Sequence, residues 1–235
     1  MGIFSRAEQI FGQDGMKSLG EASVAVFGIG GVGGYVAEML ARSGVGHITL
    51  FDSDTVSETN RNRQIIALES TTGMLKTEAM AKRILDINPL AQVECVNVFY
   101  TPDNADKYPL GGYTYIADCI DTMSSKIELI SRAKAAGVPI VSAMGAGNKL
   151  DPTRLEATDI YKTSVCPLAR TLRRELRLRG IKELRVVYSR EEPLRLTADN
   201  SNGRHAPASA VFVPAAMGIM IAKLIVCDIS GLETA

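Results

Sequence analysis

Tryptophan is absent from this chain, histidine occurs twice, and no two of the four cysteines form a C-x-x-C pair. The first absence excludes nothing. The second leaves His47 and His205 as the imidazoles to weigh. His47 opens an apolar run and reads as structural, and His205 sits in a polar stretch with nothing nearby to orient it as a base. The third removes the ligand pairs of a structural zinc site. Cys95, Cys119 and Cys227 fall in apolar runs and read as small core residues. Net charge is zero, so any polyanion site must come from local clustering, not from an overall field. Between Met1 and Gln13 there is no apolar core flanked by basic residues, so no leader peptide is expected, and the thiols fit a reducing cytoplasm. An uninterrupted apolar run of spanning length is also missing. Val211 to Ile229 comes nearest, but it holds Pro214, Lys223 and Asp228, and it reads as a helix buried against a sheet, with no membrane contact.

What is present is ordinary globular material, 46% hydrophobic and 22% charged over 235 residues, enough for one sizeable core or two small ones. The most informative stretch runs from Val24 through Phe27 to Gly28-Ile29-Gly30-Gly31-Val32-Gly33. A helix-like segment follows, then a second apolar run, His47 to Phe51, and then Asp52-Ser53-Asp54. This is the strand–loop–helix–strand–acid order of a nucleotide-binding βαβ unit. Glycines let the backbone approach a phosphate, and the helix start beyond them offers free N–H groups. Asp52 lies about 20 residues past Gly33, the distance expected of a ribose-binding acid.

Periodicity extends the pattern. Residues 1–20 read as a short helical arm. Strands are expected at Ser23–Phe27, His47–Phe51, Val93–Phe99, Tyr113–Cys119 and Val138–Ser142, and helices at Val32–Arg42, Lys76–Ile87 and Ser124–Ala136. Asp54 to Thr72 is long, polar and irregular. This alternation predicts an α/β fold with a doubly wound, mostly parallel Rossmann-like sheet over 21–145. After Gly145-Ala146-Gly147 the rhythm changes. Leu155–Ile160 and Leu184–Ser189 read as strands flanking a basic helix, Pro167–Arg179, so 146–210 is expected to be a smaller antiparallel and helical extension. Glu191–Pro207 reads as a polar loop, and 211–235 as a returning core helix. Neither a repeat nor a linker divides the chain, which reads as one domain over 1–235.

Ligands of such sheets sit beyond the carboxyl ends of the strands. There the sequence puts Asp52 and Asp54, then Asn60, Arg63 and Gln64, then Lys76 at a helix start and Asp121 after the fourth strand. Two cations suit phosphate oxygens, and Asp121 suits Mg²⁺, which binds through few carboxylates plus phosphates. Hydride transfer to a nicotinamide needs neither, although a NAD(P)-dependent dehydrogenase and a non-catalytic nucleotide sensor stay as alternatives.

With Asp52-Ser53-Asp54, Asn60-Arg61-Asn62-Arg63-Gln64, Lys76 and Asp121-Thr122 beside its glycines, the chain resembles the MoeB/ThiF adenylating enzymes, relatives of ubiquitin activators. The resemblance implies that ATP binds through Gly28, Gly30, Gly31, Gly33, Asp52, Asp54, Asn60, Arg63, Gln64, Lys76 and Asp121. It implies that Asp52 holds the ribose, that Arg63 and Lys76 grip phosphates and that Asp121 binds Mg²⁺. Phe4-Ser5-Arg6 and Phe11-Gly12 match that family's arm, which implies a homodimer in which Arg6 reaches the partner's ATP site. The C-x-x-C pairs of many members are missing, and an extended carboxyl-terminal domain for a protein partner is not expected.

Further segments resemble one branch of that family, which dehydrates threonylcarbamoyladenosine near the anticodon of tRNA. They are Gly145 to Thr153, Thr158 to Thr163, Cys166-Pro167-Leu168-Ala169 and Val187 to Pro193. By this resemblance the threonyl carboxylate is adenylated and an internal nitrogen then displaces AMP. Arg170, Arg173, Arg174 and Arg177, in a basic run from Lys162 to Arg185, are the candidate tRNA contacts; Glu175 and Glu183 dilute that run. Adenylation of a sulfur-carrier protein's carboxyl terminus stays as the rival within the family, and sulfur-relay proteins stay as candidate partners. Cys166 stands before Pro167 at a helix start, so an acyl relay through its thiol is left open.

Overall fold

The structure, a computed structural model, describes residues 2–194 and 207–232. Its organising element is a seven-stranded sheet in the order β3-β2-β1-β4-β5-β7-β6. The strands are β1 Ser23–Phe27, β2 His47–Phe51, β3 Gln92–Val96, β4 Tyr115–Asp118, β5 Ile140–Ala143, β6 Leu155–Asp159 and β7 Arg185–Ser189. Every neighbouring pair is parallel except β6 with β7. The expected antiparallel extension is therefore continuous with the main sheet, because β7 joins β5 in parallel and carries β6 as the outer edge.

Alternation along the strands builds two cores. Val24, Val26, Ile48, Leu50, Ala117 and Val141 face α2 (Gly33–Arg42), α3 (Lys76–Ile87), α6 (Phe212–Ser230) and the end of α1 (Ser5–Glu21). Ala25, Phe27, Phe51, Ile116, Ile140 and Val186 face α4 (Met123–Ala135) and α5 (Pro167–Leu178). Among the described residues α6 is the one helix long and apolar enough to cross a membrane, and most of it is buried, packed on α2, α1 and the sheet. That matches the buried-helix expectation.

The chain leaves β1 toward β2 and β3 on one side and returns to β4 and β5 on the other. Strand order thus reverses between β1 and β4, where open α/β sheets form their ligand crevice. Gly33 closes this corner. A Cβ there would stand 1.8 Å from the Gly28 carbonyl oxygen, so only glycine lets α2 start against the end of β1. Gly28 itself has φ +88 and faces the Cys119 carbonyl. Some boundaries differ from expectation. β3 stops at Val96, after which Thr77 takes the Asn97 side chain as hydrogen-bond partner. β5 begins two residues later than expected, past Pro139, which has no N–H for a ladder.

Candidate active site

Beyond the carboxyl ends of β1, β2 and β4 lies a cavity of about 750 Å³, within the range of ligand sites. Its walls include Gly28, Gly30, Gly31, Asp52, Asp54, Asn60, Arg63, Gln64, Lys76 and Asp121. Residues from five separate stretches of sequence thus meet at one rim. Gly33 is the one predicted glycine that does not line it; it sits beneath, against Gly28. Arg6 lies outside as well, exposed on α1.

The geometry shows how each group is held. Asp52 follows β2 and accepts the Ile29 N–H at 2.6 Å through Oδ2 and the Asp54 N–H at 2.8 Å through Oδ1. It therefore pins the glycine loop, and each oxygen keeps a lone pair for a further donor. Lys76, the first residue of α3, is only 6% exposed. Its Nζ stands 2.6 Å from Asp54 Oδ2, and its backbone N–H bonds the Asp54 carbonyl. The lysine is thus an enclosed ammonium with one exposed carboxylate partner. Arg63 spends one terminal nitrogen, Nη1, on the Thr59 carbonyl and on Asn62 Oδ1. Asn60 accepts the Ser57 N–H, which shapes the turn before Arg63. Asp121 is exposed after β4 and lines the cavity.

Gln64 carries the clearest sign of a missing partner. It is 6% exposed, it lines the cavity, and its buried Oε1 has no hydrogen-bond partner. Buried polar atoms are almost always satisfied, so this oxygen marks a place for a ligand or water donor. The floor is apolar: Phe27 and Phe51 stack at 4.0 Å and Tyr100 meets Phe27 edge-on. Burial pushes the Tyr100 phenol up to about 12, so that wall stays uncharged near neutral pH. Leu168 of α5, Gly145 to Gly147 and Pro207 also line it.

Residues 4–234 match the ThiF family. The chain belongs to the ThiF family. Among curated relatives, it is 40% identical to the tRNA threonylcarbamoyladenosine dehydratase of Bacillus subtilis, over 96% of this chain and 94% of that one. It is 44% identical to the Escherichia coli protein of the same name over 74% of this chain and 65% of that one. Among solved structures, the E. coli tRNA N6-threonylcarbamoyladenosine dehydratase TcdA in complex with ATP superposes with a TM-score of 0.87 at 35% identity. The match covers 97% of this chain and 93% of that one.

In this ThiF-family chain the α5 arginines do not form one free patch. They share a helix face, but Arg173 is spent on Thr163, donating to its carbonyl oxygen at 3.0 Å and to its hydroxyl. Arg177 lies over the Tyr161 ring, 5.1 Å from its centroid. Arg174 pairs with Glu175 at 3.1 Å. Arg170 is exposed, with no hydrogen bond or ion pair from its side chain among the described residues. The arginine spacing was legible in the sequence, whereas these partners depend on how Ile160–Thr163 folds beside the helix. Cys166 is the N-cap of α5 and is buried, facing the backbone at Gly145, and it is not a lining residue of the cavity. The Cys119 thiol is pushed well up, first by burial and then by the adjacent Asp118 carboxylate. His205 lies outside the described residues, as does most of the polar loop expected at 191–207.

Proposed function

We propose that this chain adenylates the threonyl carboxylate of threonylcarbamoyladenosine in tRNA and then closes the adenylate to a cyclic product. The observation that carries the reading is the single cavity into which Asp52, Arg63, Gln64, Lys76 and Asp121 converge. The near full-length likeness to dehydratases of that substrate supports it. In this reading a carboxylate oxygen attacks the α-phosphorus of ATP and pyrophosphate leaves. A nitrogen of the same modified nucleoside then attacks the acyl carbon and gives up its proton. AMP departs with the former carboxylate oxygen, so the nucleoside loses one water. Asp52 binds the ribose hydroxyls with its remaining lone pairs. Lys76 and Arg63 stabilise charge developing on the phosphates, and the Gln64 amide meets the nucleotide. No protein nucleophile is required, which agrees with the placement of Cys166 behind the wall.

Asp121 is the carboxylate that would hold Mg²⁺; it is exposed and lines the same cavity as Arg63 and Lys76. When bound, the metal supplies charge neutralisation at the phosphates. We further propose a cytoplasmic homodimer in which Arg6 serves the partner's site, the whole of 1–235 acting as one adenylating domain, with sulfur-relay proteins as candidate associates.

Mass analysis of modified tRNA incubated with the protein, ATP and Mg²⁺ tests the reading. Loss of one water from the modified nucleoside is expected. An unchanged nucleoside, with pyrophosphate exchange stimulated instead by a sulfur-carrier protein, would replace it with the rival. The tRNA surface has its own test. Arg170→Glu together with Arg174→Glu is expected to weaken tRNA binding and to reduce the salt slope of log K by roughly 1.4–1.8, since each lost phosphate contact removes about 0.7–0.9. ATP binding stays unchanged. An unaltered salt slope would exclude the α5 face as the footprint.

A further inference from the structure

The most thoroughly enclosed charges among the described residues lie behind the cavity. Asp118, the last residue of β4, and Lys126 of α4 are both 0% exposed, with Nζ 2.7 Å from Oδ2. Ser142 of β5 donates its hydroxyl to the same Asp118 oxygen and accepts from Lys126 Nζ at 3.1 Å. The other Asp118 oxygen accepts the Ile120 N–H at 3.2 Å, one residue before Asp121. One carboxylate therefore joins β4, α4 and β5 and holds the turn from which Asp121 projects.

We infer that Asp118, Lys126 and Ser142 form a positioning triad that fixes the Asp121 turn and thereby sets how readily the site takes Mg²⁺ and ATP. The inference rests on the adenylation reading above. Stability alone gives no reason for this arrangement. Well-packed apolar side chains of similar volume commonly match or exceed a buried ion pair, because two charges need not then be desolvated. What apolar residues cannot supply is a directed acceptor. Asp118 Oδ1 is the Ile120 N–H partner among the described residues, so the turn's orientation depends on it. Ser142 extends the same restraint to β5, whose continuation through Gly145 to Gly147 also lines the cavity. A network in which each polar atom has a partner resists rearrangement, and carboxylates that ligate metals are ordinarily held by outer partners of this kind.

The test compares two double variants with the wild-type protein. Asp118→Leu with Lys126→Met removes both charges and the acceptor. Asp118→Asn with Lys126→Met removes the charges but keeps an acceptor for Ile120. Calorimetric titration of ATP at stepped Mg²⁺ concentrations reads the metal dependence without needing tRNA, and Tm is recorded alongside. The Leu/Met variant is expected to fold with a lowered Tm, because the buried Ser142 hydroxyl and the Ile120 N–H lose their acceptor, and to need about 10- to 100-fold more Mg²⁺ for half-maximal ATP affinity. The Asn/Met variant is expected to recover most of that loss. If Leu/Met fails to fold, Ser142→Ala carries the test, with a smaller shift in the same direction. A wild-type Mg²⁺ midpoint in a folded Leu/Met variant, or in Ser142→Ala where Leu/Met does not fold, overturns the triad's positioning role and leaves the adenylation reading intact. A wild-type protein that binds no ATP at any Mg²⁺ concentration removes the adenylation reading itself.

Discussion

Lys76→Ala lowers ATP-dependent pyrophosphate exchange by about 10²- to 10³-fold, the usual cost of deleting one preorganised donor to developing charge, and leaves the fold in place. The two halves of this expectation come from one pair. Lys76 is enclosed, but its partner Asp54 has a side chain 64% exposed. Removing the lysine therefore strands a carboxylate in water and not in the core, and exposed pairs contribute little to stability. Circular dichroism and Tm measured beside the exchange rate separate the effects. Lys76→Arg should not restore the rate, because a planar fork does not replace a compact ammonium at the end of a buried stem. A Lys76→Ala protein with wild-type exchange and KM for ATP would show that the ammonium serves Asp54 alone.

Mixing two inactive variants restores activity. Arg6→Ala and Lys76→Ala are each expected to be nearly silent. In a mixed dimer, one site receives Lys76 from the first chain and Arg6 from the second. Random reassembly makes half the dimers mixed, each with one working site, so about a quarter of wild-type turnover is expected from a two-fold symmetric pair. The physical ground is that Arg6 is exposed on α1 and absent from its own chain's cavity, so the role proposed for it requires a second subunit. Mixed dimers that form, shown by differently tagged chains, yet gain nothing over the parents would end the trans assignment.

The parts that were legible in the sequence are those in which local pattern and tertiary role agree. β1 and β2 fall as expected because their apolar runs are bounded by glycine and acid, and α3 because Lys76 opens a helical period that Asn88-Pro89 ends. The cavity residues were legible as a set because they follow a strand end, lie in the loop beyond it or open the next helix, where the fold dictates convergence. Other features were hidden for physical reasons. Lys126 follows two serines in a helix of mixed polarity and looks like a solvated side chain. Only the docking of α4 on the sheet brings it to Asp118, eight positions earlier, a separation that matches no helical neighbour rule. The pairing of β6 with β7 spans a helix between them, and nothing local shows that β7 then joins β5. The arginine stripe was readable as a face, yet Arg173 and Arg177 are occupied by Thr163 and Tyr161, contacts no periodicity encodes.

The helix α1 breaks at Gly12, where φ is 69 and ψ 173, a conformation essentially reserved for glycine. A side chain there would meet no neighbouring atom within 4 Å, so the prohibition is purely torsional. The heading of Ser5–Phe11 relative to the helical stretch that packs on α6 thus turns on one achiral position, next to Phe11, which packs against the core. Any residue with a side chain at this kink would pull the arm toward one continuous helix and so away from the seat that Phe11 now occupies.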